Sequence, residues 1–122
     1  MAKIIMVVDD SSSVRTVVGI ALRGAGYEVV EARDGADALA RLEGRRVHLI
    51  LSDVNMPVMD GLTFLKELKK HPQHRFTPVM MLTTEAGEDK KAIGRSEGAR
   101  AWMTKPFRPE QMLQAVQKLV LP

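Results

Sequence analysis

The stretch LILSDVNMP, residues 49–57, decides how this chain is read. Three apolar residues, Leu49, Ile50 and Leu51, lead through Ser52 to a carboxylate at Asp53. Asn55, Met56 and Pro57 then stop any regular element. A strand that ends on an acid is costly to bury, since a neutral residue would need no compensating partner there. The reason for the acid has to come from the other strands.

Working outward, five short apolar runs alternate with five helical patterns. The runs are Ile4–Val8, YEVVEA from Tyr27, VHLILS from Val47, VMML from Val79 and ARAWMT from Ala99. Helical spacing follows each one. Val14, Val17, Val18, Ala21, Leu22 and Ala25 share a first helix, capped by Ser11 or Ser12 and ended by Gly24-Ala25-Gly26. Ala36, Leu39, Ala40 and Leu42 mark a short second helix stopped by Gly44, and Leu62, Leu65 and Leu68 mark a third. A polar fourth helix is expected at about 86–97. A fifth opens at Pro109 and carries Met112, Leu113, Val116, Leu119 and Val120. Strands without polar alternation, each followed by a helix, predict a five-stranded parallel sheet covered on both faces, with right-handed crossovers. The pattern fills residues 1–122, so one domain is expected.

Composition narrows the function classes. Hydrophobic residues make up 45% and charged residues 27%, which is ordinary for a globular protein and too apolar for disorder. With no cysteine there is neither a disulfide framework nor a thiolate metal site. The N-terminus lacks the long apolar core of a signal peptide, and no run is long enough to span a membrane, so the expected address is cytoplasmic. The net charge of +3 is uneven: −2 over residues 1–60 and +5 over residues 61–122. A basic half favours acidic partners, but without a basic run or interleaved aromatics the expectation is a solvated surface and no nucleic-acid partner.

In open parallel sheets the ligand site lies beyond the carboxyl ends of the strands. Here those ends carry Asp9-Asp10, Asp53, Thr83-Thr84-Glu85 and Thr104-Lys105-Pro106. Taken singly, each has an ordinary alternative: a helix cap, a turn acid, strand-end threonines, a solvated lysine. Together they form a rim of acids, hydroxyls and one amine. Carboxylates crowded side by side raise at least one proton affinity unless a cation sits among them. Mg²⁺ suits such oxygen ligands and accepts a phosphate oxygen, and Lys105 adds a compact positive charge. Such a rim is suited to accepting a phosphoryl group, with Asp53 as the central candidate nucleophile.

The motifs VVDDSSSVR, LSDVNMPVMDG, MLTTE and AWMTKPF, in this order and spacing, resemble the receiver domain of two-component response regulators, and within it the single-domain CheY-like chemotaxis regulators. The resemblance covers nearly the whole chain. It implies a flavodoxin-like (βα)5 fold with strand order 2-1-3-4-5. It also implies that Asp53 accepts a phosphoryl group from a histidine kinase or small phosphodonor, and that Asp10, Asp53 and the backbone carbonyl of Asn55 hold Mg²⁺, with Asp9 reaching the metal through water. Lys105 would pair with the phosphoryl group, before a typically cis Lys105-Pro106 bond. Thr83 would be drawn toward the phosphoryl oxygens while Trp102, at the position of the switch aromatic, turns inward. The face made by the fourth helix, fifth strand and fifth helix would then bind its partner differently, for instance a flagellar motor switch component. By linkage, a partner preferring that state would favour phosphorylation. Trp in place of the usual Tyr or Phe removes any hydroxyl-mediated contact. Thr84 stands where a smaller residue is usual and would slow phosphorylation by crowding, and Asn55 and Glu85 match the pair that tunes phosphoryl loss.

The implied protein is a monomeric, stand-alone regulator of chemotaxis or motility. Alternatives are a receiver detached from a longer regulator, a phosphate sink, and an aspartyl-nucleophile phosphatase, for which Asn55 lacks the second acid. GAGYEV ends a helix instead of leaving a strand, so it is not a dinucleotide fingerprint. His71 and His74 are expected in solvent contact rather than on a metal, and Met80-Met81 in the core.

Overall fold

Strands too apolar to face water on either side build one parallel sheet. The computed structural model describes residues 2–83 and 98–120. Its elements run β1 (Ile4–Val8), α1 (Ser12–Gly24), β2 (Glu28–Ala32), α2 (Gly35–Leu42), β3 (Leu49–Asp53), α3 (Gly61–Lys69), β4 (Val79–Thr83), β5 (Ala101–Thr104) and α4 (Pro109–Leu119). The helix expected at about 86–97, with Thr84 and Glu85, lies outside the described residues, so the C-terminal helix is α4 here. All pairings are parallel and the strand order is 2-1-3-4-5, the flavodoxin-like arrangement expected.

Alternate residues of each strand feed two cores. Met6, Val8, Ile50, Val79 and Met81 pack toward α2 and α3, with Leu42, Phe64, Leu65 and Leu68. Ile5, Val7, Leu49, Leu51, Met80 and Leu82 pack toward α1 and α4, with Val18, Leu22, Met112 and Val116. Because both faces are covered, the period-2 pattern shows no polar partner, and β3 and β4 are buried along their whole length.

Local chemistry sets the element ends. The Ser11 side chain accepts the Val14 N–H and starts α1. The helix ends in a Schellman motif: Tyr27 N–H donates to the Leu22 carbonyl, Gly26 N–H donates to the Arg23 carbonyl, and Gly26 takes φ +95°. Ala25 is therefore the cap and not a core position. Val17, counted on the apolar stripe, sits on its flank and is exposed, while Ala40 of α2 points outward and Ala38 takes the buried place. Asp34 caps α2 through the Asp37 N–H, and Asp60 caps α3 through the Thr63 N–H. His74 departs from its expected solvent contact. It is 3% exposed, and its Nε2 lies 3.1 Å from the Leu42 carbonyl, pinning the α3–β4 loop to the end of α2.

The β3–α3 loop is where the backbone is most constrained. Val58 takes φ +68°, and the Met59 N–H donates to the Pro57 carbonyl at 2.7 Å. This is a γ-turn of positive φ, which is strained, and more so on a β-branched residue. Val58 is 85% exposed and gains little packing in return. Gly61 serves a different need: a Cβ there would lie 2.1 Å from the Asp53 carbonyl oxygen and 2.8 Å from Met81 Cε. The start of α3 thus presses directly on the backbone of Asp53. Val58→Gly is expected to stabilise the fold by about 1 kcal/mol in denaturant unfolding, the cost of a left-handed non-glycine residue. Gly61→Ala is expected to cost more than about 2 kcal/mol in the same assay, because backbone and not a flexible side chain must yield.

Candidate functional site

The sheet register brings the charged rim together. Val8 pairs with Ser52, Asp53 with Leu82, and Thr83 with Thr104, so Asp9, Asp53, Thr83 and Lys105 sit at adjoining strand ends. β1 and β3 are neighbours, yet the chain leaves β1 for the outer strand β2 before returning. Asp9 and Asp53 therefore flank the point where the strand order reverses, the usual crevice of such sheets.

Asp9 is the most tightly held of the acids, at 1% exposure. Its Oδ1 accepts the Ser11 N–H at 2.9 Å, and its Oδ2 accepts from Lys105 Nζ at 2.7 Å. Its own N–H donates to the Ala32 carbonyl, and its carbonyl accepts Arg15 Nη1. The same guanidinium reaches Glu31 at 3.3 Å through Nε, which ties the β1–α1 loop to the end of β2. Asp53 is 8% exposed. Its Oδ1 accepts the Val54 N–H at 2.8 Å, while Oδ2 lies 3.5 Å from Lys105 Nζ. Asp10 is exposed beside them, and one ligand oxygen from each of Asp9, Asp10 and Asp53 falls within 4.8 Å of the others.

Three carboxylates face one ammonium in this cluster. Burial pushes the Asp53 carboxyl above its ordinary value, Lys105 draws it down, and Asp9 pushes it up again. Unbalanced negative charge on hard oxygen donors fits Mg²⁺, and among the described residues this trio is the only cluster of three or more such side chains.

The remaining candidates fall as follows. Asn55 lies exposed in the loop two residues beyond Asp53. Thr83 is buried at 1% exposure, its carbonyl accepting the Lys105 N–H at 2.8 Å. Lys105-Pro106 is a cis peptide bond, as the resemblance implied. Trp102 pairs with Met81 and packs against the α2–α3 core; its Nε1 is buried with no hydrogen-bond partner among the described residues. His71 and His74 lie at the opposite end of the sheet, their rings 4.8 Å apart, and take no part in this cluster.

Reading the residues missed Arg15 as the clamp on Asp9, although it stands in the quoted VVDDSSSVR. A basic residue one turn into the helix after an acidic strand end was the available signal. The closeness of Lys105 to Asp9, tighter than to Asp53, carried no sequence signal.

Comparison with known proteins agrees with this geometry. Residues 5–117 match the response regulator receiver domain family. The chain is 38% identical over 120 residues to the alkaline phosphatase synthesis transcriptional regulatory protein PhoP of Bacillus subtilis, covering 98% of this chain but 49% of PhoP. It thus spans about half the length of that relative. It is 37% identical over 112 residues to protein PilG of Pseudomonas aeruginosa, covering 92% of this chain and 83% of PilG. The chemotaxis protein CheY4 of Vibrio cholerae superposes with a TM-score of 0.94 at 45% identity, covering 98% of this chain and 99% of CheY4. With the fold, the strand order and the acidic crevice in agreement, the chain belongs to the response regulator receiver domain family, in its CheY-like form.

Proposed function

We propose that the chain is a phosphorylation-controlled binding module of a two-component system, with Asp53 as the phosphoryl acceptor. The observation that carries this reading is the placement of Lys105 Nζ, 2.7 Å from Asp9 and 3.5 Å from Oδ2 of Asp53. Asp53 Oδ2 attacks phosphorus. The bond from phosphorus to the donor, a histidine nitrogen of a kinase or the acetate oxygen of acetyl phosphate, breaks, and its electron pair leaves with the donor. The Val54 N–H orients the carboxylate through Oδ1, and Lys105 takes up charge on the transferred group. Asp10, Asp53 and the Asn55 carbonyl would hold Mg²⁺, with Asp9 reaching it through water. The metal, when bound, supplies positive charge against the carboxylates and the phosphoryl oxygens.

Thr83 and Trp102 form the switch in this reading. The phosphoryl group attracts the Thr83 hydroxyl, and the indole repacks in response. Among the described residues the buried Trp102 N–H has no acceptor. The partner face around β5 and α4 changes as a result. Chemotaxis or motility signalling is favoured by similarity to CheY4, a chemotaxis protein, with a histidine kinase upstream and a motor-type protein downstream. Among the described residues no helix is long and apolar enough to cross a membrane.

With Mg²⁺ present, acetyl phosphate is expected to label the wild type at a single site by intact-protein mass spectrometry, and Asp53→Asn is expected not to label. Labelling that survives the substitution places the acceptor elsewhere, and repeated turnover of a generic phosphate monoester would make the chain a phosphatase. Without divalent ions, Asp53→Asn should melt above the wild type, by about 4 °C for each kcal/mol of relieved repulsion. Adding Mg²⁺ should raise the wild-type Tm and leave the variant nearly unmoved. Fluorescence of Trp102, the only tryptophan, should change on addition of Mg²⁺ or phosphodonor. A flat signal under both removes it from the switch.

A further inference from the structure

Asp10 is the least secured of the three clustered acids. It is exposed, and among the described residues no hydrogen bond or ion pair engages its side chain. Its direction is therefore set by its backbone. Two planar peptide groups flank its Cα, and the rotation of each about that atom fixes where the side chain points. Each of the two has an anchor. The peptide before Asp10 is held at the Asp9 carbonyl, which accepts Arg15 Nη1. The peptide after it is held at the Ser11 N–H, which donates to Asp9 Oδ1 at 2.9 Å. Asp9 itself is buried, with its own N–H donated to the Ala32 carbonyl.

Arg15 is built to act on that peptide. It stands in the first turn of α1, and helical side chains tilt toward the N-terminus, here toward the loop that carries Asp9 and Asp10. The guanidinium fork serves two elements at once: Nη1 donates to the Asp9 carbonyl, while Nε donates to Glu31 Oε1 at 3.3 Å. Glu31 lies in β2, one residue before the Ala32 carbonyl that binds the Asp9 N–H. The end of β2 thus holds the Asp9 backbone on one side directly and on the other through Arg15. Arg23 reaches the second Glu31 oxygen at 3.7 Å, but from an exposed position where such a pair adds little.

The charge of Arg15 and its geometry pull in opposite directions. A guanidinium beside a cluster of carboxylates repels a cation, so by charge alone removing Arg15 would tighten Mg²⁺ binding. Groups that orient metal ligands work the other way, and their loss commonly weakens binding ~10–100-fold. The sign of the change therefore separates the two effects.

We propose that Arg15, anchored by Glu31, is a positioning residue for Mg²⁺: by holding the peptide between Asp9 and Asp10 it aims the Asp10 carboxylate, and it raises metal affinity without touching the ion. This role rests on the reading of Asp9, Asp10 and Asp53 as the metal site.

The test is a calorimetric Mg²⁺ titration of the full chain and its variants at pH 7, with metal-free amide exchange of Ser11 followed by NMR. Arg15→Ala should weaken Mg²⁺ binding roughly tenfold or more. Arg15→Lys, which keeps the charge and loses the fork, should weaken it in the same direction. Glu31→Gln retains an acceptor for Arg15 Nε and should stay near the wild type, whereas Glu31→Ala, with the same charge change, should bind Mg²⁺ more weakly than Glu31→Gln. Without metal, the Ser11 amide should exchange faster in Arg15→Ala than in the wild type. Affinity unchanged or raised in Arg15→Ala, equal affinities for the two Glu31 variants, or an unchanged Ser11 exchange rate would overturn the proposal. A wild type that does not bind Mg²⁺ would overturn the metal reading and this role with it, an outcome distinct from a wild type that binds while every variant matches it. Should Arg15→Ala fail to fold, Arg15→Lys and the Glu31 pair carry the same decision.

Discussion

Two buried carboxylates, Asp9 and Asp53, share one ammonium, and the arrangement of the whole rim depends on that imbalance. Lys105 sits closer to Asp9 than to Asp53, so Asp9 is largely satisfied, while Asp53 has one oxygen held by a backbone N–H and the other at the longer distance from the ammonium. Burial holds its proton affinity up while Lys105 works against it. A folded protein keeps such a cluster only where the scaffold over-determines it. Here Asp9 is fixed at its N–H, its carbonyl and both carboxylate oxygens. Adding a cation or a phosphoryl group therefore changes the energetics of a prearranged site and has little to build.

The scaffold explains why this site can be rigid. Covering both faces of the sheet buries the central strands β3 and β4 along their whole length and leaves their carboxyl ends to face the crevice. The β3–α3 loop then concentrates its constraints beside Asp53. Gly61 lets the helix press against the Asp53 carbonyl, while Val58 holds a positive φ that its side chain does not favour. Cost at those two residues goes with precise placement of a third. Arg15 plays the corresponding part on the other side of the crevice, joining the loop that carries Asp9 to Glu31 at the end of β2.

The two ends of the molecule differ in kind. The carboxyl ends of the strands gather negative charge around a lysine, whereas near the amino ends Arg45 and Arg46 lie exposed and His74 is buried against the Leu42 carbonyl. Both ends are anchored to the same strands β3 and β4.

The order and type of the described elements followed from local chemistry, because two-sided burial writes itself as unbroken apolar runs and caps as Ser, Asp, Gly and Pro at element ends. The acids, Thr83 and Lys105 could be placed at one rim from the sequence for the same reason: parallel strands expose their carboxyl ends together. Boundaries drifted by a residue or two where pairing and not composition decides, as at Val47 and Ala99, which lie outside the ladder. Burial of individual side chains was a tertiary outcome. Val17 sits on the flank of its stripe and faces out, and His74 is drawn inside by a carbonyl 32 residues earlier. Likewise, only the folded chain could settle that Lys105 prefers Asp9, that Arg15 grips a backbone oxygen, and that Trp102 packs against the α2–α3 core with its N–H buried. Each of these depends on distances between segments far apart in the chain, and periodicity records which face a residue occupies, not which distant partner it meets.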